Sequence, residues 1–99
     1  MSRIIWIPSA KDDLARIKAY IRRDSKVNAT RFIKRIRDAV AGMKRFPDAG
    51  SLVPDFERVG FREIFVGSYR VIYRVVNNEI QICSVIHGAR SLPDSLGRI

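Results

Sequence analysis

In this chain of 99 residues, the groups whose types and spacing could do chemistry are few: one histidine, one cysteine and a run of arginines between residues 62 and 74. Cleavage of RNA needs a base for the 2′-hydroxyl, cations for the phosphate and an acid for the leaving oxygen. Glu63 or His87 could serve as base, Arg62, Arg70 or Arg74 as clamps, and Tyr73 or His87 as acid. Histidine is the side chain whose unperturbed charge change falls near neutral pH. Each choice has a plainer reading. Tyr73 alternates as a core aromatic, His87 sits at a strand end as a structural hydrogen-bonder, and Arg62 and Glu63 suit cross-strand ion pairs. The lone Cys83 reads as a small apolar filler that can form no internal disulfide and cannot build a metal site alone, so no metal or cofactor is expected and a reducing cytoplasm is.

Charge is the strongest compositional signal. Nineteen Lys and Arg oppose ten Asp and Glu, a net +9, and fourteen of the cations are Arg. Arginine is the planar fork that suits carboxylate and phosphate. A compact domain of this charge attracts a polyanion or an acidic protein, unless the charge is merely solvated surface. The longest apolar run is Ile4–Ile7, far short of the roughly 20 residues a membrane span requires. The length argues for one domain over residues 1–99.

The elements that must position these groups follow from periodicity. Arg3–Ile7 is short and β-branched, a strand ended by Pro8. Ser9 and Asp12 suggest a capping box for a helix over about Ala10–Asp24, whose apolar stripe is Ala10, Leu14, Ile17 and Ile21, with Asp12 paired to Arg16. A joint at Ser25–Asn28 leads to a second helix carrying Ala29, Ile33, Ile36, Val40 and Met43, which Pro47 stops near Arg45. After a loop from Asp48 to about Gly60 come three strands, Phe61–Val66, Tyr69–Val76 and Glu79–Ile86, separated by the two-residue turns Gly67-Ser68 and Asn77-Asn78. The expected fold is α+β: β-α-α-β-β-β, a helical hairpin packed on an antiparallel sheet. Residues 87–99 are expected to form a partly mobile tail with a turn at Leu92-Pro93-Asp94.

Alternation puts Tyr69, Val71, Tyr73 and Val75 on one face and Arg70, Ile72 and Arg74 on the other. In the last strand it groups Ile80, Ile82 and Ile86 against Gln81, Cys83, Val85 and His87. The face away from the helices would then mix arginines with Ile72 and Val85, an amphipathic surface fit for a partner. Arg62, Arg70, Ile72, Arg74, Val85, His87 and Arg90 are its candidate binding residues.

Five local motifs occur in order: Trp6-Ile7-Pro8-Ser9-Ala10 before Asp13-Leu14, Phe46-Pro47-Asp48-Ala49-Gly50, Arg62-Glu63-Ile64, Gly67 to Arg74, and Val85-Ile86-His87-Gly88-Ala89-Arg90. Together they resemble the RelE/ParE superfamily of type II toxin–antitoxin toxins, and look closest to its ParE branch. The resemblance implies a small cytoplasmic bacterial toxin, of the kind that stabilises plasmids, held in a hetero-oligomer by an acidic ParD-like antitoxin. The ParE branch inhibits DNA gyrase and stalls replication. The RelE branch cuts messenger RNA on the ribosome. The ribonuclease branch presents basic residues before its second strand, whereas Val53 to Arg58 here carries two acids and one Arg, a departure that favours the gyrase branch. A non-toxic basic binding module is the third reading.

Overall fold

The computed structural model describes residues 2–53 and 60–90. The chain runs β1 (Arg3–Trp6), α1 (Pro8–Arg22), α2 (Lys26–Gly42), β2 (Ser51–Leu52), β3 (Arg62–Val66), β4 (Tyr69–Val76) and β5 (Glu79–His87). The sheet order is β1-β5-β4-β3-β2. The expected hairpin of helices packs on an antiparallel meander, and two strands extend it. β1 joins the β5 edge in parallel, and the two-residue β2, which the sequence pattern does not announce, pairs with β3.

Turn chemistry sets the meander. Asn77 and Asn78 both take positive φ, 49° and 63°, as a two-residue I′ turn demands. At the other turn only Gly67 does, at 58°, the pattern of a II′ turn.

The helices start and stop differently from expectation. Pro8 lacks an N–H and has φ preset for the first helical position, so α1 begins there with Ile7 as N-cap. Ser9 therefore lies inside the first turn, no capping box with Asp12 forms, and its hydroxyl donates to the Cys83 carbonyl at 3.0 Å. Arg16 pairs with Asp13 rather than with Asp12. Ser25 is the true N-cap of α2, its hydroxyl accepting from the Asn28 amide at 3.2 Å, so the supposed joint is helix from Lys26 onward. Beyond Gly42 the amides of Met43, Lys44 and Arg45 bond three residues back, which tightens the last turn and ends the α-helix early.

Two apolar clusters flank the sheet. The larger lies under the helices and includes Leu14, Ile36, Val40, Val71, Tyr73 and Ile82. The smaller, Val53, Phe61, Ile72 and Cys83, covers part of the opposite face. Burial pushes the Cys83 thiol up to about 11 from its ordinary 9.0, against the charge of Arg74. Because the folded value is the higher one, the unfolded chain ionises first, and stability falls as pH rises from about 9 through about 11. Native protein at pH 8 should therefore resist a thiol reagent and react at the rate of unfolding. Rapid labelling of the folded chain would contradict this burial.

His87 ends β5 rather than opening a tail, and the expected turn at Leu92-Pro93-Asp94 lies outside the described residues, as do residues 54–59 of the loop before Gly60.

Candidate functional site

The sheet face away from the helices carries Glu63 and Phe65 from β3, Arg70 and Arg74 from β4, and Gln81 from β5. Its placement follows from the register Glu63↔Ile72, Phe65↔Arg70 and Arg74↔Gln81. The Arg70 Nε donates to Glu63 Oε2 at 2.8 Å, and its Nη2 donates to the same oxygen. The two side chains are only 14 % and 13 % exposed. They form a largely covered pair with no net charge, so neither an unpaired base nor an unpaired cation stands there. Arg74 is engaged as well: its Nε donates to Gln81 Oε1 at 2.9 Å, and its guanidinium lies 5.8 Å from the Phe61 ring centre.

Three expectations for this face are corrected. Ile72 is buried beneath Val53 and Phe61, because the segment around β2 folds over that side. Val85 is buried under α1: β4 and β5 shift register between Ile72 and Tyr73, leaving Cys83 as an extra residue. Past this bulge, side-chain parity inverts, so Val85 and His87 oppose Val71 and Tyr69, while Ile86 opposes Arg70. Arg62 is opposite Tyr73 and serves the loop after α2 instead of the surface. Its Nη1 donates to the carbonyls of Gly50 at 2.8 Å and Asp48 at 3.3 Å. Tyr73 completes that clamp, donating to the Pro47 carbonyl at 2.9 Å and accepting from the Gly50 amide at 2.8 Å. Burial holds its phenol above the ordinary range, against the Gly50 hydrogen bond.

On the helix side, a cleft of about 440 Å³ opens between α1 and the end of β5. Arg16, Tyr20, Tyr69, His87 and Arg90 line it. Its floor is set by Asp13, whose Oδ2 accepts from the Val85 amide at 2.9 Å and the Ser84 hydroxyl at 3.1 Å. Tyr69 is held between Phe32, at 5.4 Å, and His87, which it meets edge-on at 5.5 Å. The His87 Nδ1 accepts from the Ala89 amide at 3.2 Å, which leaves Nε2 as the ring's donor. His87 and Arg90 were expected at a working surface. Arg16, Tyr20 and Tyr69 were not, although Arg16 and Tyr20 stand one turn apart on α1, a spacing visible in the sequence.

The sheet separates the proposed reactive groups. Glu63, Arg70 and Arg74 lie on one side and His87, Tyr73 and Arg62 on the other, with Arg62 and Tyr73 bound to the loop after α2, so Glu63 and Arg70 do not share a phosphate with His87. Among the described residues no His, Cys, Asp and Glu gather as a metal-holding group. No helix among them is long and apolar enough to cross a membrane.

Comparison with known proteins adds a family. Residues 4–92 match the model of the family described as ParE toxin of type II toxin-antitoxin system, parDE. Toxin RelE2 of Caulobacter vibrioides is 29 % identical over 91 residues, covering 91 % of this chain and 99 % of that one. A chain of the chromosomal ParDE system of P. aeruginosa superposes with a TM-score of 0.72 at 22 % identity, over 88 % of this chain and 96 % of its own. One from the RelBE2 toxin–antitoxin complex of Mycobacterium tuberculosis gives 0.64 at 19 % identity, over 87 % and 96 %. The structural likenesses establish a shared fold, which by itself does not fix an activity.

Proposed function

The chain belongs to the family of ParE toxins of type II toxin–antitoxin systems, and from that premise we propose that it is a non-enzymatic poison of DNA gyrase, neutralised in a hetero-oligomer by a cognate acidic antitoxin. The observation that carries the reading is the neutralised Glu63–Arg70 pair, set on the opposite side of the sheet from His87. A ribonuclease would need these groups around one phosphodiester. A binding poison needs only a surface. The solved relatives include toxin–antitoxin complexes, which supports an antitoxin partner here.

The test is paired. Antitoxin-free protein should block supercoiling and trap cleaved DNA, while leaving messenger RNA on translating ribosomes intact. Gyrase running unimpeded at saturating protein would sink the proposal. A second reading, message cleavage on the ribosome, draws on the relative named RelE2 and on the cleft, where His87, Arg16 and Arg90 adjoin exposed Tyr20. It predicts that His87→Ala abolishes growth arrest, whereas a gyrase poison retains it.

The net charge makes a kinetic prediction about the antitoxin. Opposite charges steer encounter, and salt screens them within about 8 Å at physiological ionic strength. The association rate should fall at least tenfold between about 50 mM and 500 mM salt by stopped-flow measurement, with dissociation changing less. A rate indifferent to salt would remove electrostatics from the encounter.

A further inference from the structure

The charge is distributed unevenly between the layers. From Pro8 to Arg45 the chain holds twelve Lys and Arg against four Asp, while the remainder holds seven against six. The helical layer thus carries eight of the nine net charges. On the sheet the arginines Arg62, Arg70 and Arg74 are bound to carbonyls, a carboxylate and an amide. On the helices, Arg16 and Lys34 are paired with Asp13 and Asp38. Lys18, Arg22, Arg23, Arg31 and Arg35 are exposed and have no acid within ion-pair distance among the described residues. They rim two shallow depressions: Lys18, Arg22 and Arg23 surround one on α1, with Ala15 and Ala19 as its floor, and Arg31 and Arg35 border the other beside Ile21 and Phe32.

We propose that the solvent face of the α1–α2 hairpin, centred on Lys18, Arg22, Arg23, Arg31 and Arg35, binds the sugar–phosphate backbone of duplex DNA without reading its sequence. Charge complementarity names a polyanion, and the composition of the face separates DNA from an acidic protein. A folding peptide or a protein partner needs apolar anchors in the centre of its footprint. The large exposed apolar side chains of the two helices are Tyr20 and Val27, both beside the joint between them, while Phe65, 63 % exposed, lies on the sheet. Between the cations stand Ala15, Ala19 and Asn28, with Ile21 and Phe32 half-buried against the core, which leaves a partner protein little to bury. Arginine forks on a rigid helix pair about 22 Å long instead match the repeated phosphates of a duplex, a contact that fixes position and carries no base information. The proposal rests on the charge distribution and stands apart from the gyrase reading, so either can fail alone.

The test is fluorescence anisotropy of the full chain with labelled 20-base-pair duplexes of two unrelated sequences, at several salt concentrations. Five phosphate contacts give a slope of log affinity against log salt near −4.5, so affinity should fall roughly 500-fold between 50 and 200 mM salt. Both sequences should bind alike. Changing all five cations to Gln should flatten the slope toward zero and weaken binding at 50 mM at least 100-fold. The milder Arg22→Gln with Arg23→Gln should lower the slope by about 2. Circular dichroism on each variant checks that the fold survives. Arg74→Gln, on the sheet, should leave the duplex affinity within twofold. Equal duplex binding by the five-site variant, or an equal loss from Arg74→Gln, would overturn the proposal. So would tighter binding of a single-stranded RNA of the same length, or displacement of the duplex by an acidic peptide at equal charge concentration.

Discussion

Gly50→Ala should be the most damaging single methyl in this protein. A Cβ at Gly50 would stand 2.5 Å from the Tyr73 hydroxyl oxygen and 2.8 Å from the Glu63 carbonyl oxygen. Neither neighbour is the loose end of a flexible chain. Tyr73 is fully buried and holds both the Pro47 carbonyl and the Gly50 amide through that oxygen, and Glu63 contributes backbone of β3. Relief means moving the turn after α2 off the sheet, which strands those two polar groups and the carbonyl that Arg62 grips. Overpacking plus stranded hydrogen-bonding groups costs about 3 kcal/mol. For a chain of this size that lowers the melting temperature by roughly 12–24 °C. Tyr73→Phe should cost less, about 1–3 kcal/mol, since the ring stays and only the two hydrogen bonds go. Thermal melts by calorimetry decide the matter. A shift below about 3 °C for Gly50→Ala would mean the clamp gives way without strain.

Asp13→Ala comes second. β1 pairs with β5 only as far as Trp6↔Ile82, because the chain then turns into α1. The next stretch of β5 has no strand on that side. The carboxylate of Asp13, 14 % exposed, takes its place by accepting from the Val85 amide and the Ser84 hydroxyl. Alanine leaves both donors without a protein acceptor on the largely buried floor of the cleft, at a cost of about 2–4 kcal/mol. Asp13→Asn keeps one carbonyl oxygen and should cost about half. Arg16→Ala removes only the exposed partner and should cost under about 0.5 kcal/mol. Denaturant unfolding gives the order Asp13→Ala, Asp13→Asn, Arg16→Ala, and amide exchange at Val85 should rise sharply in the first. Equal losses for Arg16→Ala and Asp13→Ala would show that the ion pair, not the strand substitution, is what stabilises.

The contrast between what was legible in the sequence and what was not has a physical basis. Asn77-Asn78 and Gly67-Ser68 are legible because positive φ is a local demand that few residue types meet. The amphipathic stripes of both helices and the core position of Tyr73 are legible because periodicity reports burial directly. Alternation misplaces Val85 and Ile86, since the extra residue at Cys83 inverts parity and leaves no compositional mark. Ile72 lies on the expected face but is covered there, because Val53 comes from a loop with no periodic pattern and Phe61 folds in beside it. The partners of the arginines are set by register. The turn length that pairs Val66 with Tyr69 puts Arg70 diagonal to Glu63, an inference open to the sequence once the hairpin is granted.

The parallel pairing of β1 with β5 has a consequence for how the molecule is made. Ser9 reaches a carbonyl 74 residues along the chain, and Asp13 an amide 72 residues along. A ribosome adding 5–20 residues per second needs roughly 4–15 s to deliver that distance. Throughout that interval β1 and the Asp13 carboxylate have no counterpart, and the cleft beside Asp13 has no far wall. Assembly of this layer therefore waits on β5, and a nascent chain acquires the cleft only once that strand has been made.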